Sequence, residues 1–464
     1  MITLYTPATG FPDLEVKIAY GLARVGVEAF GIDRITICNH GGFYTVIAEV
    51  DESNYDRLER TFDLLCKRLL SSSYIPFNTP GIGGRSAESI PVFENEILSL
   101  EDFKSMPVNA ANKKSENICR HRSNPVGNII GFAASTSYHH KRDGIDISIQ
   151  QNIPRRPTNP KNICKVCALL ALLGMWYASF IFSVADKEVI VIPIPNQELT
   201  GYKLQEIFAL QHKVRKQWLN QNIPQILIPL VFLSKIPSSA DILEGFDLFI
   251  AVLSRQQGYH VDGIFLIEIE HYLDYIRQTS FNIATIDRLL INEAYKALNE
   301  LNNSIYYRKA DSLLKFARLY VQETSTNNWT NLLFLDTANY LLKEVGMLPS
   351  NIIENPSLQS LARTLRYFIR ERKYGYADDI RNSRKGSRDF EETIAKMLRE
   401  GELRRVQQEQ ERNAGKEVKS WIYLPKEEEI KEVFQLANED FESTKLALVI
   451  LAFSFPSKVE EITE

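Results

Sequence analysis

The sequence predicts an α+β protein, with a mixed α/β region at the N-terminus, an inserted zinc knuckle, and a helical bundle at the C-terminus. Three observations predict it. Apolar residues near the start alternate between strand and helix periods in the order β-α-β-β-α. Cysteine and histidine then cluster mid-chain as Cys119-x-His121, a gap of 42 residues, and Cys164-x-x-Cys167. From about Asp262 onwards the apolar spacing is helical.

Ile2 to Tyr5 reads as a short strand, and Leu14, Ile18, Leu22 and Val25 recur at helical spacing with Asp13 beside the N-cap. Ile35 to Cys38 and Tyr44 to Val50 are strands joined by Asn39-His40-Gly41-Gly42, a hairpin turn by its chemistry. A helix follows from about Tyr55 to Leu70, completing a split β-α-β module. Pro76 to Ile90 is rich in glycine and proline and reads first as a surface loop. Its glycines would also let backbone approach a groove closely, with Arg85 as the reader. Ala168 to Ala185 is an uncharged run of 18 residues, at the lower edge of a membrane span. Bounded by the knuckle and by Asp186-Lys187-Glu188, it reads as a buried core helix, and no membrane association is expected.

Further on, Val189 to Pro193 and Ile226 to Leu233 are expected strands around a helix near Leu204 to Trp218. Leu313, Phe316, Ala317 and Tyr320 form one helical stripe, and Leu332 to Leu342 another. Pro349 and Pro356 punctuate the chain before helices marked by Leu361, Leu365, Phe368 and Ile369, and by Phe390, Ile394, Met397 and Leu398. Arg399 to Lys419 is charged and expected to be exposed, and a final apolar helix spans about Lys445 to Phe455. Four segments follow: an α/β module over 1–110, the basic knuckle region over 111–200, a mixed to helical region over 201–300, and the bundle over 301–464.

Five cysteines in 464 residues are too few for a disulfide scaffold, and the start lacks a basic-then-apolar leader. A cytoplasmic protein is expected. A C-x-x-C turn points two thiolates at one ion, and a second knuckle completes a tetrahedral Cys3His shell, so Cys119, His121, Cys164 and Cys167 are expected to hold structural Zn2+. The alternative is a pair of buried thiols beside an unrelated histidine. A catalytic zinc would need an open position and a nearby acid, which the pattern does not supply.

Charge is concentrated. Residues 111–167 carry ten Lys or Arg against three acids, with His121, His139 and His140 in the same window. Residues 363–388 carry nine basic residues against Glu371, Asp378 and Asp379. The two windows hold +7 and +6 in a chain of −4, so the remainder holds −17. Such stripes on an acidic body suit a phosphate-binding footprint. Tyr367, Phe368, Tyr374 and Tyr376 interleave the second window, where aromatic rings stack on unpaired bases, although Phe368 also sits on an apolar stripe. Candidate backbone and displaced-strand contacts are therefore Arg366, Arg370, Arg372, Lys373, Arg381, Arg384, Lys385 and Arg388. Base-edge candidates are Asn39 and His40 on the hairpin, Asn78 and Arg85 on the glycine-rich loop, and His139, His140, Lys141 and Arg142.

The chain has no G-x-S-x-G, no H-E-x-x-H, no helicase box and no HD pair. His139 and His140 could serve acid–base cleavage of RNA, but neighbours on a strand face opposite ways. The chain reads as a binder, not an enzyme.

The opening after Tyr5-Thr6-Pro7-Ala8-Thr9, the mid-chain knuckle ending Cys164-x-x-Cys167-Ala168 and the helical C-terminal bundle together resemble the large subunit of a type I CRISPR interference complex, or Cascade. Family members often carry two C-x-x-C knuckles; here the first is Cys119-x-His121. The resemblance implies a non-catalytic subunit that assembles with other Cascade subunits and crRNA. It would read the PAM in double-stranded target DNA, help open the duplex, hold the displaced single strand, and dock a recruited nuclease-helicase or transposition protein. Two other classes are compatible with the residues alone: a zinc-stabilised metal-independent ribonuclease, and an assembly factor whose basic windows contact acidic proteins.

Overall fold

A computed structural model describes residues 1–71, 98–107, 119–121, 125–126, 163–184, 187–214, 223–236, 241–255, 259–327, 329–418 and 420–455. The chain divides into two compact units, one of residues 1–229 and 238–270, the other of residues 230–237 and 271–464.

The first unit opens with β1 (Ile2–Tyr5), α1 (Pro12–Phe30), β2 (Ile35–Asn39), β3 (Tyr44–Ala48) and α2 (Tyr55–Ser71), as the periodicity predicts. β3 lies between β1 and β2, antiparallel to both, so β1-α1-β2 is a split β-α-β unit. Pro12 starts α1 where a missing N–H costs nothing, and Gly31 ends it at φ 99°, donating its N–H to the Val27 carbonyl. β4 (Pro125–Val126) pairs with β5 (Ile163–Cys164), which runs into α3 (Lys165–Ala178). β6 (Phe180–Val184), β7 (Lys187–Pro195), β9 (Phe246–Arg255) and β10 (Tyr259–Glu268) form an antiparallel sheet in the order β10-β9-β7-β6. Pro193 and Pro195 lie past the end of β6, where β7 has a single neighbour and a missing donor is tolerated. β8 (Leu199–Thr200) pairs with β2 and leads into α4 (Gly201–Val214).

The expected apolar run of 168–185 thus divides into a buried helix and a strand. No described helix is long and apolar enough to cross a membrane. α1 and α3 cross at very short range through glycines. A Cβ added at Gly21 would overlap the Leu170 carbonyl, and one at Gly174 would overlap that of Lys17. Residues 1–71 and 163–178 therefore share one core, and the boundary drawn at residue 110 does not separate folding bodies. The boundary at 300 likewise falls inside the second unit.

Two further expectations are corrected. Ile226 to Leu233 is not a strand: a 3-10 turn at Gln225–Leu227 passes into α5 (Ile228–Ser234). Apart from half-buried Ile226 the run is buried, so it carries no periodicity to separate the two states. Pro229 suits a first helical turn and cannot donate within a central strand. Asp262 to Glu268 belongs to β10, so the helical pattern starts at Glu270; Phe265 and Ile267 are buried while Ile264 and Leu266 are half-buried, the alternation of a strand.

The second unit is helical: α6 (Glu270–Gln278), α7 (Ser280–Ile291), α8 (Tyr295–Tyr307), α9 (Ala310–Thr324), α10 (Leu335–Tyr340), α11 (Ser350–Ile353), α12 (Pro356–Arg370), α13 (Gly375–Asn382), α14 (Asp389–Asn413), α15 (Glu427–Glu439) and α16 (Phe441–Ala452). α16 is apolar on nearly every face and buried along its length, so α12, α9 and α13 pack around it. β11 (Leu333–Phe334) pairs in parallel with β12 (Ser454–Phe455) and ties the end of α16 to the bundle.

Candidate metal centre and basic faces

Cys164 closes β5 and caps α3: its Sγ accepts from the Cys167 N–H at 3.3 Å. The short β4–β5 ladder sets Pro125 opposite Cys164 and so brings the first knuckle alongside. Arg120 takes a left-handed conformation, φ 55°, which turns Cys119 and His121 to the same side. Cys119 Sγ accepts from the Cys164 N–H at 3.3 Å. His121 Nδ1 lies 3.2 Å from Cys167 Sγ and 3.6 Å from Cys164 Sγ, and its ring stands edge-on to buried Phe103 at 4.5 Å. The four ligand atoms all lie within 4.8 Å of one another.

That geometry can hold a metal ion. Zinc bonds of about 2.3 Å to sulfur and 2.0–2.1 Å to nitrogen place tetrahedral ligands about 3.5–3.8 Å apart. Backbone N–H groups aimed at sulfur stabilise thiolates. Thiol hydrogen bonds from the Cys164 and then the Cys167 side chains hold the Cys119 thiol well below its ordinary range, whereas burial pushes Cys167 well above its own. Three thiols this close cannot all ionise by themselves; a dication supplies the missing charge. The cysteines are buried and His121 is half-buried. All five cysteines of the chain are free thiols.

Asn39 is committed to the fold. Its Nδ2 donates to the Pro195 carbonyl at 2.8 Å and its Oδ1 accepts from the Gly41 N–H at 2.8 Å. His40 is exposed, stacked on Phe43 with Nε2 2.9 Å from Thr45 Oγ1. Asn78, Arg85, His139, His140, Lys141 and Arg142 lie outside the described residues, as does most of the first basic window.

The second window does not form one face. Lys373 pairs with Glu400 at 2.5 Å, Arg381 lies 4.0 Å from Asp378, and Arg372 donates to the Thr326 carbonyl. Asp378 also pairs with Arg318. Arg384, Lys385 and Arg388 stand exposed on the connection between α13 and α14, bent by Gly386 at φ 80°. Arg366 and Arg370 project with Arg363 from α12. Phe368 is fully buried, and Tyr376 packs on it and donates to Glu400, so both serve the core. Trp421, Tyr423 and Phe455 come onto the arginine face of α12 from at least fifty residues away in sequence, a proximity no local pattern could reveal.

No protein-family model matches the chain, and no curated protein matches its sequence.

Proposed function

We propose that this chain is the non-catalytic large subunit of a crRNA-guided type I CRISPR complex, acting in the cytoplasm with structural zinc at Cys119, His121, Cys164 and Cys167. The observation that supports the reading is the gathering of those four residues at the start of a helix that packs on a split β-α-β module, since the knuckle and the opening are two of the features on which the resemblance rests. The exposed cations of 384–388 and the arginine face of α12 support strand binding by the C-terminal bundle. In this reading guide pairing supplies sequence specificity, while the chain reads the PAM, helps open the duplex, holds the displaced strand and docks the recruited effector. A PAM reader presents donors and acceptors to base edges from a loop that can enter a groove, each good contact contributing about 1–3 kcal/mol of discrimination. Asn39 is occupied by its turn, which shifts the expectation to His40, to Asn78 and Arg85, and to His139 through Arg142.

The test is alanine replacement of each group in the assembled complex. One of them erases the preference for PAM-bearing over PAM-less duplex and leaves guide-matched single strand bound as before. If none does, PAM reading belongs to another subunit.

A further inference from the structure

We propose that the groove between α12 and the extended segment preceding α15 is a subsite for one unpaired nucleotide, its base on Trp421 and Tyr423 and its phosphate on Arg363 and Arg370. The inference deepens the reading above and rests on it for the source of the strand.

Arg363, Arg366 and Arg370 sit at i, i+3 and i+7 of α12 and so share one face. They line a groove of about 310 Å³ whose other walls are Tyr367, Ser420, Trp421, Tyr423 and Phe455, with no acid among them. That volume is at the small end of ligand pockets. Three guanidiniums on one face repel each other: burial, and then Arg370 and Arg363, push Arg366 down to about 10. One Arg366 Nη donates to the Leu451 carbonyl at 2.7 Å, but its buried Nε has no partner. Glu429, an acid that feels the charge of Arg363, is already held by the Lys426 N–H at 2.6 Å and by Ser360 at 2.7 Å. The groove therefore has cations to spare for an anion.

The aromatic wall is built rather than incidental. The segment over 420–426 has no helix or strand of its own, yet it is pinned at several points. Buried Gln408 donates to the Ser420 carbonyl at 2.9 Å and accepts from the Ile422 N–H at 3.1 Å. Thr364 donates to the Tyr423 carbonyl at 2.7 Å. Held this way, Trp421 is 46 % exposed, Tyr423 37 % and Phe455 40 %. Arginines lie over all three rings, Arg363 at 5.6 Å from Tyr423, Arg370 at 4.4 Å from Phe455 and Arg412 at 5.8 Å from Trp421. Rigid exposed rings beside free cations are the recognition chemistry of single-stranded nucleic acid: stacking for the base, guanidinium for the phosphate. A duplex keeps its base faces covered, and an acidic peptide would use the arginines and leave the indole idle.

The experiment is fluorescence anisotropy of a labelled 12-nucleotide oligo(dT) with the full-length chain, over a salt series. Trp421→Ala weakens binding about 10-fold, within the range for loss of one stacked base. Arg363→Ala with Arg370→Ala weakens it and flattens the salt slope. Trp421→Phe retains most of the affinity, and unchanged thermal melts show that the variants fold. If the chain binds the strand and these variants bind equally well, the subsite is refuted and the wider reading stands. Competition by a poly-glutamate peptide that is insensitive to Trp421→Ala would reassign the groove to acidic proteins. Should the wild-type chain, free or in its complex, bind no nucleic acid, the wider reading fails as well.

Discussion

At the scale of single residues the chain makes two testable commitments. The first is the metal. With three buried thiols and a half-buried imidazole converging on one point, protein purified without added zinc is expected to carry about one zinc per chain by metal analysis. Cys164→Ser removes a ligand while leaving a hydroxyl that can still cap α3, so zinc content and thermal midpoint fall together through the metal alone. Fully stable wild-type protein without metal would refute the assignment. The second is a pH dependence at Glu15. Its Oε1 accepts from the Thr9 N–H at 2.6 Å, the Thr9 hydroxyl at 3.0 Å and the Gly10 N–H at 2.9 Å, but burial outweighs these bonds and pushes its carboxyl up to about 7. A raised folded value means the native state holds the proton more tightly than the unfolded chain. That stability is complete below the ordinary value of 4.5 and is lost as pH rises through about 7. The loss is at most about 3 kcal/mol. Glu15→Gln removes this titration, so its thermal midpoint gains on the wild type between pH 5 and pH 8; parallel curves would show that Glu15 stays ionised. The cysteine pattern was legible because ligand spacing is local. The buried Asp13–Lys17 pair, 3.2 Å apart, and Glu15 were not, because charges in the first two turns of a helix look the same whether solvated or enclosed.

Among the elements, the contact that decides the first unit is the glycine crossing of α1 and α3. Gly21→Ala or Gly174→Ala drives a methyl into a backbone carbonyl that cannot yield as a flexible side chain would. The expected cost is about 3 kcal/mol, at the upper end for overpacked cores, read as a lowered denaturant midpoint. Because Cys164 caps α3 and Cys167 lies in its first turn, the same change should also loosen zinc retention against a chelator; a stability loss with no change in zinc retention would separate the crossing from the metal centre. Nothing in a lone Gly-containing helix announces its partner, so this contact lay outside what sequence could say. β1, β2 and α2 were readable because buried and less buried positions alternate along them at the strand or helix period, and α1, buried on nearly every face, was readable from the helical spacing of its large apolar residues. Ile226 to Leu233 and the start of β10 were misread where that contrast fades: one run is apolar on every side, and the other follows a bulge between Val261 and Gly263.

For the molecule as a whole, charge concentration was legible and its division was not. Two of the nine basic residues in the second window are paired with acids, Lys373 with Glu400 and Arg381 with Asp378, Arg372 is held by the Thr326 carbonyl, and the other six split between α12 and the loop at 384–388. Arg384→Glu, Lys385→Glu and Arg388→Glu together are expected to weaken binding of matched and unrelated DNA alike and to reduce the salt slope, the mark of phosphate contacts. An unchanged affinity and slope would assign that loop to protein contacts or solvent. The central claim is that the chain works inside an RNA-guided assembly, and the most direct measurement is the RNA it carries. When a tagged copy is purified from its own cells and the bound RNA sequenced, the account predicts short RNAs of uniform length sharing a common repeat-derived portion, recovered with several partner subunits. Recovery of no RNA, or cleavage of labelled RNA by the purified chain that is lost on His139→Ala or His140→Ala, would contradict it.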